Sequence, residues 1–402
     1  MVRENYGRAA TTWRHAASLE RGVCSPTGIR IKNKAKTKAE AEAETKSGGR
    51  GRPPHIDAPA FRALLLAWYD LNSRALPWRE THDAYRVWLS EIMLQQTRVA
   101  AVIEHYREFL GRFPTLEKLA RAREASVLAA WSGLGYYRRA RMMHAAAKFI
   151  VRDLAGKFPE TRVGLIALPG IGRYTAAAIA SIAFGEPVAA VDGNVERVLS
   201  RLSGRRMDCE ELWQSAEVLL DRERPGDFNQ AMMELGATVC TPRAPACLTC
   251  PVMDLCATRG ELAGGAKPSR QSKREIHYAL DCRDGAIFLV QRSRDASLMA
   301  GMWELPETAP RTSERPIPGR TGRKGRRLDD PDAPLFTIKH SITVTDYTVH
   351  VWRCAAPAGV HGKWIVVERL AQAALTGLAR KILRKAEILQ PQSRNQPGYT
   401  EV

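Results

Sequence analysis

The spacing of apolar residues changes once along the chain, and this change limits the folds available to it. From Ala60 to Thr258, apolar residues recur every three to four positions, the period of helices that each bury one face. After residue 275 the period becomes two, which is typical of β-strands with one buried face. The sequence therefore predicts a multidomain protein with an all-α domain followed by an α+β domain.

The predicted domain bounds follow this change and the local composition. Residues 1–56 are polar and basic and end in a Gly- and Pro-rich stretch, so we expect a disordered basic extension. The helical domain should span 57–260, and the Gly- and Ser-rich residues 261–275 should form a linker. The α+β domain should span 276–388, with a tail at 389–402.

Within the second domain, the alternation of apolar and polar residues predicts particular elements. We expect strands at Ile276–Cys282, Ala286–Gln291, Thr343–Trp352 and Trp364–Val367, a helix at Ala371–Glu387 and a long mobile loop at Pro306–Pro334.

The charge of the chain favours a polyanionic partner. Its 61 Lys and Arg outnumber 43 Asp and Glu, which gives a formal net charge of +18. Clustered cations bind nucleic acid strongly because each neutralised phosphate releases counterions. The alternative is a basic tail on an otherwise ordinary enzyme, since part of the excess lies in the first 55 residues.

Four of the eight cysteines lie close together near the end of the helical region. Cys240, Cys247, Cys250 and Cys256 follow the spacing C-x6-C-x2-C-x5-C in the loop 240–256. In an intracellular protein, thiols at this spacing favour a metal or cluster site over disulfides. Zinc and an iron–sulfur cluster both accept four thiolates, so the ligands alone do not decide between them.

The segment Leu168–Gly172 separates two helical stretches, Val163–Ala167 and Tyr174–Ala183. Gly170 and Gly172 lack a Cβ, so the backbone N–H groups of this hairpin can approach a phosphate, and the following helix start adds its positive dipole end. A plain turn between two helices is the alternative, because a Gly-x-Gly turn is not specific by itself.

Two carboxylates lie in apolar surroundings. Asp192 follows an apolar run at the start of a helix, where a helix cap is the ordinary role. Glu91 is flanked by Trp88, Ile92 and Met93. Apolar neighbours raise the pKa of a carboxyl group and keep it a proton donor near neutral pH, whereas a solvated helix carboxylate is the alternative.

Six motifs, taken in order, resemble those of the MutY-type adenine DNA glycosylases of the helix-hairpin-helix base-excision superfamily. They are Leu76–Arg79, Ser90–Thr97, Gly133–Tyr137, Leu168–Gly172, Val191–Asn194 and the cysteine loop. The resemblance covers the chain from Pro59 to about Lys385. It implies hydrolysis of the N-glycosidic bond of adenine mispaired with 8-oxoguanine or guanine in double-stranded DNA. It also implies one [4Fe–4S] cluster held by the four cysteines.

The resemblance assigns catalytic roles to four residues. Glu91 would protonate adenine, Asp192 would support the sugar cation, and Asn194 and Tyr174 would orient these groups. In the related endonuclease III enzymes, the position of Tyr174 is a lysine that forms a Schiff base and leads to strand cleavage. The resemblance therefore implies a monofunctional glycosylase that leaves an abasic site without strong lyase activity.

The resemblance also implies contacts with DNA, because the base must leave the stack to be reached. The residues that resemble the family's wedge are Gln96, Thr97 and Tyr136. Those that resemble positions of the adenine pocket are Arg79, Leu94 and Gln230. Phosphate should be contacted by Gly170 and Gly172. For Tyr136 the alternative is a core aromatic residue, and for Gln230 it is a capping or solvated side chain.

The second domain resembles the Nudix-like recognition domain of the family. Gly301 and Glu307 keep the opening spacing of the Nudix signature, but no paired glutamates follow Arg315, so the carboxylates for Mg²⁺ are missing. We therefore expect a recognition module without hydrolase activity. The family's Phe-Ser-His loop aligns with Ile338–His340, where only His340 is retained as the expected contact to 8-oxoguanine.

Two other functions stay open from the sequence. A bifunctional glycosylase/lyase similar to endonuclease III is disfavoured by Tyr174 and by the second domain, and a catalytically silent DNA-binding protein is disfavoured by Glu91 and Asp192. No run of about 18 apolar residues is present, so we expect no membrane partner. We also expect the protein to be a monomer. We expect it to act in the cytoplasm on a bacterial-type nucleoid, with a transit peptide as the other possibility.

Overall fold

The computed structural model describes residues 56–262, 272–296, 298–310, 333–342 and 345–389. The predicted basic extension up to residue 55, the centre of the linker, most of the long loop and nearly all of the tail lie outside these residues. None of the helices in the described part of the chain is both long enough and apolar enough to cross a membrane.

Contacts divide the chain into two units. The first unit contains the chain up to Arg107, Thr115–Glu117 and the chain from Ala145 to the linker. The second contains Glu108–Pro114, Lys118–His144 and the chain after the linker. Some helical segments therefore group with the C-terminal sheets, and the domain bounds taken from the sequence stay a prediction.

The region before the linker is helical, as its apolar period predicts. Its helices are α1 Ala58–Asn72, α2 Ala84–Leu94, α3 Val99–Arg112, α4 Leu116–Arg121, α5 Glu124–Ala130, α6 Arg138–Asp153, α7 Arg162–Leu165, α8 Arg173–Phe184, α9 Gly193–Leu202, α10 Cys209–Leu219 and α11 Pro225–Thr238. Short 3₁₀ turns occur at Pro77–Arg79, Cys247–Thr249 and Met253–Leu255.

Helix α8 lies at the centre of the first unit. Every residue from Thr175 to Ile182 is buried, and most of them are Ala or Ile. Small side chains let neighbouring helices approach closely, and α8 packs against both α2 and α11. Near the start of α11, the ring of Phe228 packs edge-on against Phe61 of α1, with centroids 6.2 Å apart. This packing brings α2, α8 and α11 together around one site.

The region after the linker contains strands followed by a helix. The elements are β1 Ser272–Ala279, β2 Cys282–Arg283, β3 Ala286–Gln291, β4 Trp303–Glu304, β5 Phe336–Ile342, β6 Thr345–Trp352, β7 Lys363–Val366, the 3₁₀ turn Val367–Gln372 and α12 Gly377–Lys385. One sheet has the order β1-β6-β5, with β1 parallel and β5 antiparallel to β6. A second sheet has β3 between β2 and β4, with β7 also pairing with β3. This mixture of sheets and helix confirms the predicted α+β class.

Several boundaries differ from the sequence prediction. The strand β3 matches it, but β1 begins at Ser272, inside the predicted linker. The predicted helix from Ala371 is shorter, because Thr376 caps the start of α12 by accepting a hydrogen bond from Ala379 N at 3.1 Å. Strand β5 was not predicted, although Phe336 and Ile338 alternate with polar residues along it.

Candidate active site

Glu91 is buried in the last turns of α2, with only 5% of its surface exposed. The hydroxyl of Tyr174, on α8, donates a hydrogen bond of 2.6 Å to Glu91 Oε2. Burial raises the pKa of Glu91 to about 7, the charge of Asp192 adds to this rise, and Tyr174 and Arg79 oppose it. The carboxyl group is therefore poised to exchange a proton near neutral pH.

Tyr174 is held from two sides. Its hydroxyl oxygen lies 3.1 Å from Sδ of Met233 on α11, in addition to its bond to Glu91. Burial raises the pKa of Tyr174 well above its ordinary value, and the negative charge of Glu91 adds to the rise. The phenol therefore stays neutral and acts as a hydrogen-bond donor.

Asp192 caps the start of α9, and its carboxylate receives three hydrogen bonds. Oδ1 accepts from the backbone N–H groups of Asn194 at 2.9 Å and Val195 at 2.8 Å, and Oδ2 accepts from Nδ2 of Asn194 at 2.7 Å. Burial raises the pKa of Asp192, while these donors and the charge of Arg197 oppose the rise. The helix start provides a local environment that favours the anion.

Asn194 is positioned by a close approach of α9 and α11. A Cβ added at Gly236 would lie 2.6 Å from the Cβ of Asn194, so only glycine allows this approach. Arg197 connects the same region to the cysteine loop, because its Nη2 donates to Asn194 Oδ1 at 2.8 Å and its Nε donates to the carbonyl of Cys240 at 2.8 Å. Asp192 and Asn194 are thus held by the packing of α9 on α11 and by the hydrogen bonds of Arg197.

Arg79 takes part in a buried ion-pair network. Its Nη2 lies 2.9 Å from Oε2 of Glu234 on α11, whose other oxygen accepts from Arg74 Nε at 2.6 Å. Burial alone would raise the pKa of Glu234. The hydrogen bonds from Arg74 and Arg79 outweigh this effect, so the pKa of this carboxyl group is lowered. The guanidinium of Arg79 also lies over the ring of Tyr69, 5.3 Å from its centroid. Its Nε is buried and has no hydrogen-bond partner among the residues that the structure describes.

The predicted hairpin between two helices is present. Gly170 has a φ of 75°, in the left-handed region that favours glycine, and Gly172 is the N-cap residue of α8. Arg162 and Arg173 line an open cavity beside this turn. The backbone geometry and the two cations fit a phosphate contact.

The remaining predicted DNA contacts lie at different places. Leu94 and Gln230 are half-buried on α2 and α11. Gln96 is exposed and has a φ of 55°, and Thr97 next to it donates from Oγ1 to the carbonyl of Gln95 at 3.3 Å. Tyr136 belongs to the second unit, where 48% of its surface is exposed. It is therefore not a core aromatic residue.

The four cysteines surround one cavity. The four cysteines line it together with apolar residues and two arginines, Arg201 and Arg259. Arg201 Nη1 donates to Cys240 Sγ at 3.2 Å. Within the described residues, no three Cys, His, Asp or Glu side chains lie close enough to share a single metal ion. The four thiols line a common space, as a polynuclear cluster requires.

Burial and the neighbouring thiols raise the pKa of Cys250 to about 11. Bound iron overcomes such a rise, because a coordinating thiol is held deprotonated. The donor set and the cavity therefore both fit an iron–sulfur cluster.

In the second unit, Ile338–His340 lie in β5 and not in a loop. Ile338 is buried in the hydrophobic core, and Lys339 points to the other face of the sheet. His340 is half-buried, and burial together with the charge of Lys381 lowers its pKa. These residues are a strand because they pair with β6, and the contact of His340 with 8-oxoguanine stays a prediction.

Sequence reasoning missed Met233, Glu234 and Arg197. Glu234 carried a usable signal, because it follows two methionines in an apolar stretch, as Glu91 follows other apolar residues. Met233 and Arg197 carried none, because their partners come from distant segments of the chain.

Three segments of the chain match known protein families. Residues 89–218 match the HhH-GPD superfamily of base excision DNA repair proteins, residues 240–256 match the iron-sulfur binding domain of endonuclease III, and residues 277–385 match the NUDIX domain. The predicted iron–sulfur loop and the predicted Nudix-like fold are thereby confirmed.

The chain is also similar to individual proteins. It is 35% identical to an adenine DNA glycosylase of Mus musculus, over 85% of this chain and 83% of that one. It is 35% identical to an adenine DNA glycosylase of Homo sapiens, over 83% of this chain and 75% of that one. A solved thermostable thymine-DNA glycosylase is 30% identical, with a TM-score of 0.48, over 50% of this chain and 96% of that one.

Proposed function

The chain belongs to the adenine DNA glycosylases, and on this premise we propose that it excises adenine opposite 8-oxoguanine or guanine and leaves an abasic site without cutting the strand. Excision of adenine from DNA in base excision repair is the activity of this family. The opposite base, the absence of lyase chemistry and the roles of individual residues are the proposed parts.

Glu91 is the proposed proton donor. Its pKa of about 7 keeps much of it protonated at neutral pH. Tyr174 donates to Oε2, which leaves Oε1 to carry the acidic proton. Transfer of this proton to a ring nitrogen of adenine lets the base depart as a neutral molecule when the bond to the sugar breaks.

Asp192 is the proposed electrostatic partner of the sugar. Breaking the glycosidic bond leaves positive charge on the deoxyribose, and an anion held by three fixed donors can stabilise it without rearranging. Water then adds to the sugar carbon. One proton of this water stays in the new hydroxyl group, and the other passes to a carboxylate of the site. Asn194 contributes two of the three donors that orient Asp192.

Tyr174 supports the monofunctional assignment. A lyase needs an amine that attacks the sugar and forms a Schiff base. Here the corresponding position carries a phenol whose hydroxyl is bonded to Glu91 and whose raised pKa keeps it protonated. The residue therefore offers hydrogen bonding and no amine nucleophile.

Arg79, Leu94 and Gln230 are the proposed adenine contacts. Arg79 is fixed by Glu234, and its unpartnered buried Nε is available to donate to a base edge. Gln96, Thr97 and Tyr136 are the proposed wedge, while Gly170 and Gly172 offer backbone donors to phosphate. The exposed side chain of Tyr136 suits stacking on bases.

In the cysteine loop, Cys240, Cys247, Cys250 and Cys256 would hold the [4Fe–4S] cluster. When bound, the cluster would join these four points of the loop. Arg197 and Arg201 tie the loop to α9, the helix that Asp192 caps. The loop thereby supports the framework of the active site.

Recognition of 8-oxoguanine is the proposed role of the second unit, with His340 as the retained residue. We also propose that the protein acts as a monomer, since Glu91, Tyr174, Asp192 and Asn194 all come from the first unit of one chain. The proposed compartment is the cytoplasm, where a bacterial-type nucleoid would supply the DNA.

One observation carries the proposal: of two buried carboxylates, Glu91 accepts one hydrogen bond and has a pKa of about 7, whereas Asp192 accepts three that oppose the rise in its pKa. The test uses duplex oligonucleotides with adenine opposite 8-oxoguanine, guanine or thymine. We expect adenine release opposite the first two, and strand breaks only after alkali. Breaks before alkali would contradict the monofunctional assignment, and equal release from all three duplexes would contradict the proposed mispair preference.

A further inference from the structure

The exposed residue Tyr136 lies on an unusually shaped turn of the second unit. Gly133 and Gly135 have φ values of 111° and 70°, and Tyr136 itself has a φ of 45°. A positive φ is unfavourable for a bulky residue, so its surroundings must hold this conformation. Arg139 contributes by donating to the carbonyls of Leu134 and Gly135, both at 3.2 Å.

The two residues that flank the turn are anchored to the C-terminal part of the chain. Ser132 and Tyr137 are buried, and both hydroxyls donate to the carbonyl of Leu375 at 3.3 Å. Arg380, on α12, donates from Nε to the hydroxyl of Ser132 at 2.7 Å. Ser132 thus accepts one hydrogen bond and donates another, and the carbonyl accepts two. We call these four residues the turn anchor.

In the turn anchor, Leu375 is held in place by its neighbours in the chain. Leu375 is fully buried, and its neighbour Ala374 accepts a backbone hydrogen bond from Trp303 of β4 at 2.8 Å. Thr376 donates to the carbonyl of Trp303 at 2.9 Å and caps α12, the helix that carries Arg380. Sheet and helix therefore fix Leu375 and Arg380, two of the partners of Ser132.

Burying the charged guanidinium of Arg380 carries a desolvation penalty that a purely structural role would not require. Only 8% of its surface is exposed, and its Nη2 is buried without a hydrogen-bond partner among the described residues. Burial also lowers the pKa of Arg380. An aliphatic side chain could fill the same space without desolvating a charge. Its specific contribution is the hydrogen bond to Ser132.

We propose that Arg380 is a positioning residue that, through Ser132, holds the turn carrying Tyr136 in the conformation needed to open the DNA stack. This inference rests on the proposed function, in which Tyr136 is a wedge residue. It gives the C-terminal helix a role in base extrusion, in addition to the role of the second unit at the opposite base.

The test compares Arg380→Met with a matched control in the full-length protein with its cluster. Methionine keeps much of the volume and removes the hydrogen bond. Arg384→Met is the control, because Arg384 lies one turn further on the same helix, is exposed and has the same charge. Single-turnover excision is measured on adenine opposite 8-oxoguanine, and extrusion is measured by the fluorescence of 2-aminopurine placed at the adenine position.

We expect Arg380→Met to lower the excision rate and the rate of the fluorescence rise by about tenfold, because a small misplacement of a positioned group has effects of this order. Arg384→Met should leave both rates unchanged. Binding to an undamaged duplex and the cluster absorbance should be the same in both variants. Parent-like rates in Arg380→Met would overturn the proposal.

Two further variants separate positioning from general destabilisation. Ser132→Ala keeps Arg380 and its charge but removes the shared hydroxyl, so the double variant should be no slower than the slower single variant. In a Tyr136→Ala background, Arg380→Met should cause no further loss. A full additional tenfold loss there would show that Arg380 acts by another route and would overturn the proposal.

The result also separates this inference from the proposed function. A parent protein that releases no adenine would contradict the proposed function, whereas the 2-aminopurine signal would still compare Arg380→Met with the parent. An active parent with normal extrusion in Arg380→Met would contradict the anchor alone.

Discussion

One carboxylate lies where α2 packs against α8, and another lies at the start of α9. The two regions differ in the hydrogen bonds that they offer to the carboxylate. Burial raises the pKa of both Glu91 and Asp192. Glu91 receives one hydrogen bond, from Tyr174, and its pKa reaches about 7. Asp192 receives three, two of them from backbone N–H groups at a helix start. The number and kind of donors, more than burial itself, distinguish a proton donor from an anion.

The first way to test this comparison is to remove the acid. Glu91→Gln keeps the shape and the hydrogen bond from Tyr174 but carries no transferable proton. We expect a loss of about 10³- to 10⁴-fold in single-turnover adenine excision, near the upper range for a general acid. Glu80→Gln, at an exposed position close by, is the control and should retain full activity. A loss below tenfold in Glu91→Gln would show that Glu91 is not the proton donor.

The second test removes the anion and keeps the helix cap. Asp192→Asn still accepts hydrogen bonds from the start of α9 but lacks the charge, so we expect a loss of about 10²- to 10³-fold in excision. Asp208, which caps α10, provides the matched control, since Asp208→Asn makes the same change at a helix start away from the site. Parent-like excision in Asp192→Asn would show that the reaction does not need the negative charge of Asp192.

A third test disturbs the framework beneath Asp192. In Gly236→Ala, the new Cβ would lie 2.6 Å from the Cβ of Asn194, so α9 and α11 must separate. We expect excision to fall by about tenfold to a hundredfold through misplacement of Asn194 and Asp192. Gly111→Ala, where a Cβ meets nothing within 4 Å, is the control. Unchanged excision in Gly236→Ala would mean that the placement of Asn194 does not limit the reaction.

The smallest expected effect concerns the donor to Glu91. The hydrogen bond from Tyr174 lowers the pKa of Glu91, so Tyr174→Phe should raise this pKa above about 7. Because the protonated form is the active acid, the decline of excision rate at alkaline pH should move to higher pH. Tyr106→Phe, whose parent hydroxyl has no partner among the described residues, should leave the pH profile in place. A shift to lower pH in Tyr174→Phe would contradict this account of Glu91.

Much of the fold could be predicted from the sequence because it depends on local periodicity. The helical region, the hairpin at Leu168–Gly172 and the strand Ala286–Gln291 each follow from patterns within short segments. Strand β5 was not predicted, although its residues alternate, because a short strand is stabilised mainly by pairing with a neighbour, here β6, which its own sequence does not reveal.

The cysteine spacing and the motif order determined, without any coordinates, which family and which cofactor the chain has. Only the tertiary structure decided the surroundings of Glu91, Asp192 and Arg380. Tyr174 and Ser132 reach Glu91 and Arg380 from other elements, and the close approach of Gly236 on α11 fixes Asn194 beside Asp192. A pKa and a positioned turn are set by burial and hydrogen bonds in three dimensions, and these are not encoded in the spacing of residues along the chain.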